Sequence, residues 1–303
     1  DIALEDKMGI IYNYMYDGSS IATDSVFIPS LIDVLKEKYN DPRPYALAAE
    51  YYIKKQDYET ASVALKDAVD NGAENYVIWE QFIMINNFLG NHDIVKEYYL
   101  RALELFSNEI NLFIFSGYSL FTLEDYSAIL NQEDVAMAIT EVEKEQKVQY
   151  LNLLADTYRE LDQIERSDSL FDEILVMDSE NLLIRNNYGY YLAVRGEELD
   201  KAEELSSLTV KRDPKNPTFL DTYGWILFKQ GNYKEALKYV ELAIKNGAYN
   251  NAEVLDHYGD IMFALERCKE AKEAWNEAIK YDETLSVKIG EKITKLEKSA
   301  CAE

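Results

Sequence analysis

The sequence predicts an all-α fold built as a linear array of helical hairpins, and three observations carry that prediction. First, residues 220–228, Leu-Asp-Thr-Tyr-Gly-Trp-Ile-Leu-Phe, return 35 positions later at 255–263 as Leu-Asp-His-Tyr-Gly-Asp-Ile-Met-Phe, six of the nine unchanged. Lys234-Glu235-Ala236 returns at the same offset as Lys269-Glu270-Ala271. Second, a small residue recurs with nearly this period at Gly259, Gly224, Gly189, Ala155 and Ala49, with Ile83 in the same slot. Further small residues follow at Ala271, Ala236, Ala202 and Ala61, with Ser167 weaker, and then at Ala278, Ala243, Ala102 and Ala68. Third, large apolar residues such as Trp79, Tyr99, Leu151, Tyr158, Phe171, Tyr188, Leu192 and Trp275 occupy the complementary positions. A period of roughly 34 residues marks one helical hairpin per unit, which cannot bury its apolar face alone and stacks on its neighbours. The small residues stand where two helices cross closely, and a bulky side chain there would hold them apart.

Residues 1–41 read as an atypical hairpin without the small-residue slots. Its first helix covers Leu4–Tyr16 and Asp17-Gly18-Ser19-Ser20 is a turn by composition; its second covers 25–39 and stops at Asn40-Asp41-Pro42. The array then spans 42–285, in units of 42–75, 76–109, 110–147, 148–181, 182–216, 217–251 and 252–285. In the 76–109 unit Ile83 and Val95 replace the small pair, so that hairpin should be splayed. The 110–147 unit is degenerate: Gly117 is in register, but extra residues around Leu123-Glu124-Asp125-Tyr126 follow it. With few prolines and glycines to form a linker, one continuous rod is expected, and any bend is expected in this unit. Residues 286–303 form a helix and tail. Leu285, Ile289, Ile293 and Leu296 make one apolar stripe on a charged helix, which suits a cap on the last unit or a partner-binding helix.

These features resemble the tetratricopeptide repeat (TPR) family, with its W-x2-L-G-x2-Y…A-x3-F…P pattern. The 217–251 unit supplies Leu220, Tyr223, Gly224, Leu227, Ala236 and Ala243. The 76–109 unit supplies Trp79, Phe82, Tyr99 and Ala102, and the 182–216 unit closes on Asp213-Pro214. The resemblance covers about residues 42–285 and implies an all-α, right-handed superhelical solenoid of about seven hairpins. The run from Asn186 to Leu192, with 220–228 and 255–263, is also similar to a sub-group of such proteins from bacterial cell envelopes, a sub-group without an established activity.

Composition excludes several function classes. A net charge of −25 would repel nucleic acid and anionic membrane surfaces. No apolar run approaches the roughly 20 residues of a membrane span. The chain begins with Asp, so it is expected to be processed or truncated, with any signal segment lost, and the envelope is favoured over the cytoplasm on the sub-group resemblance. The two cysteines, Cys268 and Cys301, are too few for a disulfide scaffold and are expected as free thiols; a bridge between them would require the tail to fold back.

Neither a nucleophile elbow nor a phosphate-binding glycine loop is present. Of the two histidines, His92 is expected to be solvated in a turn. His257 is flanked by Asp256 and shares a helix face with Asp260, but two ligands do not make a metal site. The chain is therefore expected to be non-catalytic and to need no cofactor.

In the resembled family the first helix of each unit lines a concave groove. The slots that face it fall here on Asn186, Asn187 and Tyr190; on Asp221, Thr222, Trp225 and Phe228; and on Asp256, His257, Asp260 and Phe263. Upstream they fall on Gln149, Asn152, Asp156 and Arg159. Amides, carboxylates and aromatic faces together suit an extended peptide. Asp221, Asp256 and Asp260 would oppose an acidic tail, so a basic or neutral segment of a protein partner is expected. A self-assembling rod is the alternative, and an enzyme or metal protein centred on His257 is the remaining one.

Overall fold

The computed structural model describes residues 2–16 and 24–298, with the backbone alone for Asp24 and Ser25. Among these residues helices follow one another with no strand between them, as the repeat predicts. The chain divides into two compact units, Asp1–Leu170 and Phe171–Glu303. The division falls inside a helix, not in the degenerate 110–147 segment.

The first unit contains α1 (Leu4–Tyr16), α2 (Asp24–Lys38), α3 (Arg43–Lys54), α4 (Tyr58–Asp70), α5 (Tyr76–Phe88), α6 (His92–Leu105), α7 (Ile110–Thr122), the short α8 (Tyr126–Leu130) and α9 (Glu133–Met137), and α10 (Lys144–Glu160). The expected turn at 17–20 lies outside the described residues. Helix α11 (Ile164–Met177) spans the division. The core of this unit includes Trp79, Phe82 and Tyr98, whose rings lie 5.1–6.4 Å apart. Ile83 and Val95 are both fully buried, and α5 and α6 touch along less of their length than α3 and α4, because branched side chains stand where alanine stands elsewhere. The extra residues of the degenerate segment break its second helix into α8 and α9.

A chain of neutral and charged hydrogen-bonding groups links successive first helices. Tyr76 Oη and Asn111 Nδ2 both donate to Glu80, at 2.6 and 2.8 Å, and Gln146 Nε2 donates to Asn111 Oδ1 at 2.8 Å. His92 is not solvated in a turn: it begins α6, is half-buried, and its Nδ1 lies 3.0 Å from Ser119 Oγ.

The second unit contains α12 (Leu182–Arg195), α13 (Leu199–Arg212), α14 (Pro217–Lys229), α15 (Tyr233–Ala243), α16 (Ala252–Ala264), α17 (Cys268–Tyr281) and α18 (Ser286–Glu297). Asparagine side chains cap three of its helices. Asn181 accepts from Ile184 N, Asn216 from Thr218 N and Phe219 N, and Asn251 from Glu253 N and Val254 N, satisfying backbone donors that a helix start leaves free. Gly224 and Gly259 mark the close crossings. A Cβ on Gly224 would stand 2.7 Å from Val240 Cγ2, and one on Gly259 would stand 2.3 Å from the Trp275 ring. Between α15 and α16 the chain makes a π-helical turn, Ile244–Ala248, in which Gly247 has φ 125°, a conformation side-chain-bearing residues rarely adopt.

Helix α18 continues the repeat register. Its Ile289 and Leu296, both buried, stand 35 positions after Val254 and Ile261 and pack with Met262 and Trp275. Each such burial contributes about 1.5–3 kcal/mol, so apolar contact is the main force that seats α18. Cys268 is disulfide-bonded rather than a free thiol, which corrects the sequence expectation; Cys301 lies outside the described residues.

Candidate functional site

The site is built on the first helices of three consecutive hairpins, α12, α14 and α16. Positions three and four residues apart share a helix face, so Tyr190 stands with both Asn186 and Asn187 in one row. Asp221, Thr222 and Trp225 form the next, and Asp256, His257 and Asp260 the third. Five of these nine, Asn186, Asp221, Thr222, Asp256 and His257, are at most 6% exposed. They are therefore packed between helices rather than displayed on an open trough.

His257 is the centre of the packed part. Its Nδ1 lies 3.0 and 3.1 Å from the two carboxylate oxygens of Asp221 on the preceding first helix. Its ring stacks on Trp225 at 4.0 Å with planes 15° apart, and Trp225 stacks on Phe228 at 4.8 Å. Burial disfavours the imidazolium, but Asp221 together with Glu253 and Asp256 outweighs it, and the net shift of His257 is upward. His257 thus pairs with Asp221 across the repeat, not with Asp260 on its own helix. Among the described residues no three His, Cys, Asp or Glu side chains converge as a metal ligand set. Trp225 is half-buried in this stack, and its buried Nε1 has no hydrogen-bond partner.

Asp256 and Asp260 are engaged from the other side. Lys292 Nζ donates to Asp256 at 2.6 Å and to Asp260 at 2.8 Å, and Lys288 Nζ donates to Asp256 at 3.0 Å. Trp275 Nε1 also donates to Asp260, at 3.2 Å. Burial raises the Asp256 carboxyl, but the two lysines overcome it and hold it below the usual range. At Asp260 burial dominates and the shift is upward, because one shared lysine offsets it incompletely and Asp256 adds like charge. Two of the three carboxylates expected to attract a basic partner already hold ammonium groups of the same chain.

The open part is a cleft of about 350 Å³ lined by Asn186, Asn187, Tyr190, Asp221, Thr222 and Glu253, with the 247–251 turn at its edge. Asn186 Nδ2 reaches Asn187 Oδ1 at 3.4 Å, whereas the buried Asn186 Oδ1 has no partner. Tyr190 Oη donates to Glu253; burial, then this carboxylate, raises the phenol. The upstream slots lie on α10 and interact there: Asn152 donates to Asp156 at 3.1 Å, and Arg159 is 3.8 Å from Asp156. Glu253, Lys288 and Lys292 were not among the sequence candidates. The repeat offset would have found Lys292, which stands 35 positions after His257; the same offset relates Lys288 to Glu253.

Comparison with known proteins agrees with this architecture. A tetratricopeptide repeat model matches residues 218–246. A tetratricopeptide repeat protein from Parabacteroides merdae superposes with a TM-score of 0.67 at 17% identity, over 84% of this chain and 97% of that one. The crystal structure of the APC/C hetero-tetramer Cut9-Hcn1 provides a chain that superposes with a TM-score of 0.59 at 10% identity. That match covers 91% of this chain and 54% of the other. No curated protein sequence matches the chain. No helix among the described residues is long and apolar enough to cross a membrane. The fold is thus that of an all-α helical-hairpin repeat, and the chain's resemblance to the tetratricopeptide repeat family, read first from its glycine, alanine and aromatic spacing, holds.

Proposed function

We propose that the chain is a non-catalytic interaction scaffold that holds an extended segment of a protein partner in the cleft between α12, α14 and α16. The observation that carries this reading is the buried Asn186 Oδ1, which lacks a partner and belongs to a residue lining the cleft. A buried acceptor left unpaired costs about 1–3 kcal/mol, a cost that a peptide N–H would relieve. Asn187, Thr222 and Tyr190 surround it with further donors and acceptors suited to a peptide backbone. The partner segment is mainly neutral, because Asp256 and Asp260 are occupied by Lys288 and Lys292. Placement in the cell envelope is a separate proposal that rests on the 186–192 run; fractionation of the native organism tests it.

The cleft is tested by selecting displayed random peptides against the full chain and re-measuring them on the double variant Asn187→Arg, Thr218→Arg. Both positions line the cleft, and Thr218 is exposed. Selected peptides should bind the variant at least about tenfold more weakly. Peptides that bind both proteins equally would remove the cleft as the partner site.

A further inference from the structure

We propose that the part of the cleft bounded by Asp221, Glu253 and Asn186 is a receptor for one primary ammonium group, carried by a lysine of the bound segment. The proposal rests on the cleft being the partner site and adds the chemistry it selects. It comes from comparing the molecule with itself. An offset of 35 carries Asp221 onto Asp256, His257 onto Lys292 and Glu253 onto Lys288. At the later position one carboxylate holds two ammonium groups, Lys292 at 2.6 Å and Lys288 at 3.0 Å. At the earlier position His257 takes the place of Lys292 and keeps its contact, 3.0 Å from Asp221. The place of Lys288, however, is taken by Glu253. The second cation is missing there, and a carboxylate stands in its register.

The cleft opens at this place. Asp221, Glu253 and Asn186 all line it, and its lining includes no lysine or arginine. Even with His257 protonated, Asp221 and Glu253 leave one uncompensated negative charge. Asn186 points to a ligand independently: the residue is 4% exposed and its Oδ1 has no hydrogen-bond partner. Tyr190 Oη already donates to Glu253, and the buried group of the lining that still lacks a partner, Asn186 Oδ1, is an acceptor. An ammonium group carries three donors and one positive charge, which meets both needs. A neutral hydroxyl or amide would supply the donor and leave the charge unmatched.

The probe is n-butylammonium, with n-butanol as the uncharged control, titrated into the full chain while the His257 ring and Asn186 side-chain resonances are followed. Butylammonium should give saturable shifts at both residues and butanol should not. Glu253→Gln, a substitution at an exposed position that keeps a hydrogen-bond acceptor for Tyr190, should weaken butylammonium about tenfold. Glu253→Lys, which installs the Asp256 arrangement, should abolish its binding. Equal response to butanol, or unchanged affinity in Glu253→Gln, would overturn the receptor. Lysine-to-norleucine replacement in cleft-binding peptides separates the two readings. Loss of about tenfold or more supports the receptor, whereas unchanged affinity overturns it and leaves the cleft standing. Failure to obtain any cleft-dependent peptide removes the cleft and with it the lysine source.

Discussion

The two compact units connect their first helices by different chemistry. In the first, Tyr76, Glu80, Asn111 and Gln146 form a ladder that leans on amides and hydroxyls. In the second, the links are charge pairs, Asp221 with His257 and Asp256 with Lys288 and Lys292, with both carboxylates and the imidazole buried. The stacking geometry of the repeat tolerates either. What differs is the response to pH and to substitution: the amide links of the ladder do not titrate, whereas a buried charge pair is strongly penalised when one member is lost. The charged unit also holds the cleft lined by Asn186, whose Oδ1 is unpaired, so this difference coincides with the candidate site.

The largest predicted effect sharpens the comparison at the crossings. Gly259→Ala drives a Cβ into the rigid Trp275 ring at 2.3 Å, and Gly117→Ala meets only the end of the Leu153 side chain at 2.2 Å. Chemical denaturation should show a loss of about 2–3 kcal/mol for Gly259→Ala and about 1 kcal/mol for Gly117→Ala. Comparable losses would mean that Trp275 moves aside. Next comes Asp256→Asn, which should cost about 2 kcal/mol at neutral pH, discounted because Lys288 is 63% exposed and regains solvent. The Asp256 carboxyl is held below its ordinary 3.8. Its contribution is therefore present above that value and is lost as pH falls through the folded value. The gap between parent and variant should close on acidification, and a gap that widens would break the assignment.

Asn111→Ala tests the amide ladder. It removes the links to Glu80 and Gln146 together and should cost about 1–2 kcal/mol, with the same loss at about pH 6 and about pH 9. A pH-dependent loss would erase the contrast between the units. The smallest effect is expected for His257→Gln, about 1 kcal/mol, because the glutamine amide still offers Asp221 a hydrogen-bond donor. Because His257 is shifted above its ordinary value of 6.5, its paired contribution is complete below that pH and is lost as pH rises through the folded value. Thermal melts should therefore show the largest parent–variant difference in mild acid and a shrinking one in alkali.

Periodicity made much of the architecture legible. Gly224 and Gly259 revealed the offset, and the asparagine caps at 216 and 251 repeat it. The site was legible as a set of positions, since a helix face is fixed by spacing alone. Its chemistry was only half legible. Asp221, Asp256 and Asp260 read as three free carboxylates, because a sequence does not say which residue of the next hairpin meets each one. Lys288 and Lys292 were read as the charged side of a capping helix, and that same side is the one that fills the Asp256 slot. His257 was weighed against its neighbours in the chain, whereas its partner stands 36 residues away.

By itself the sequence determined the repeat and which residues share a face, because these depend on local backbone geometry and on spacing along one chain. Tertiary structure alone decided which charges are paired, which acceptor is left unpaired and which part of the inner face stays open. Those outcomes depend on distances between hairpins and on burial, which set the strength of every electrostatic contact and arise only when the helices are stacked.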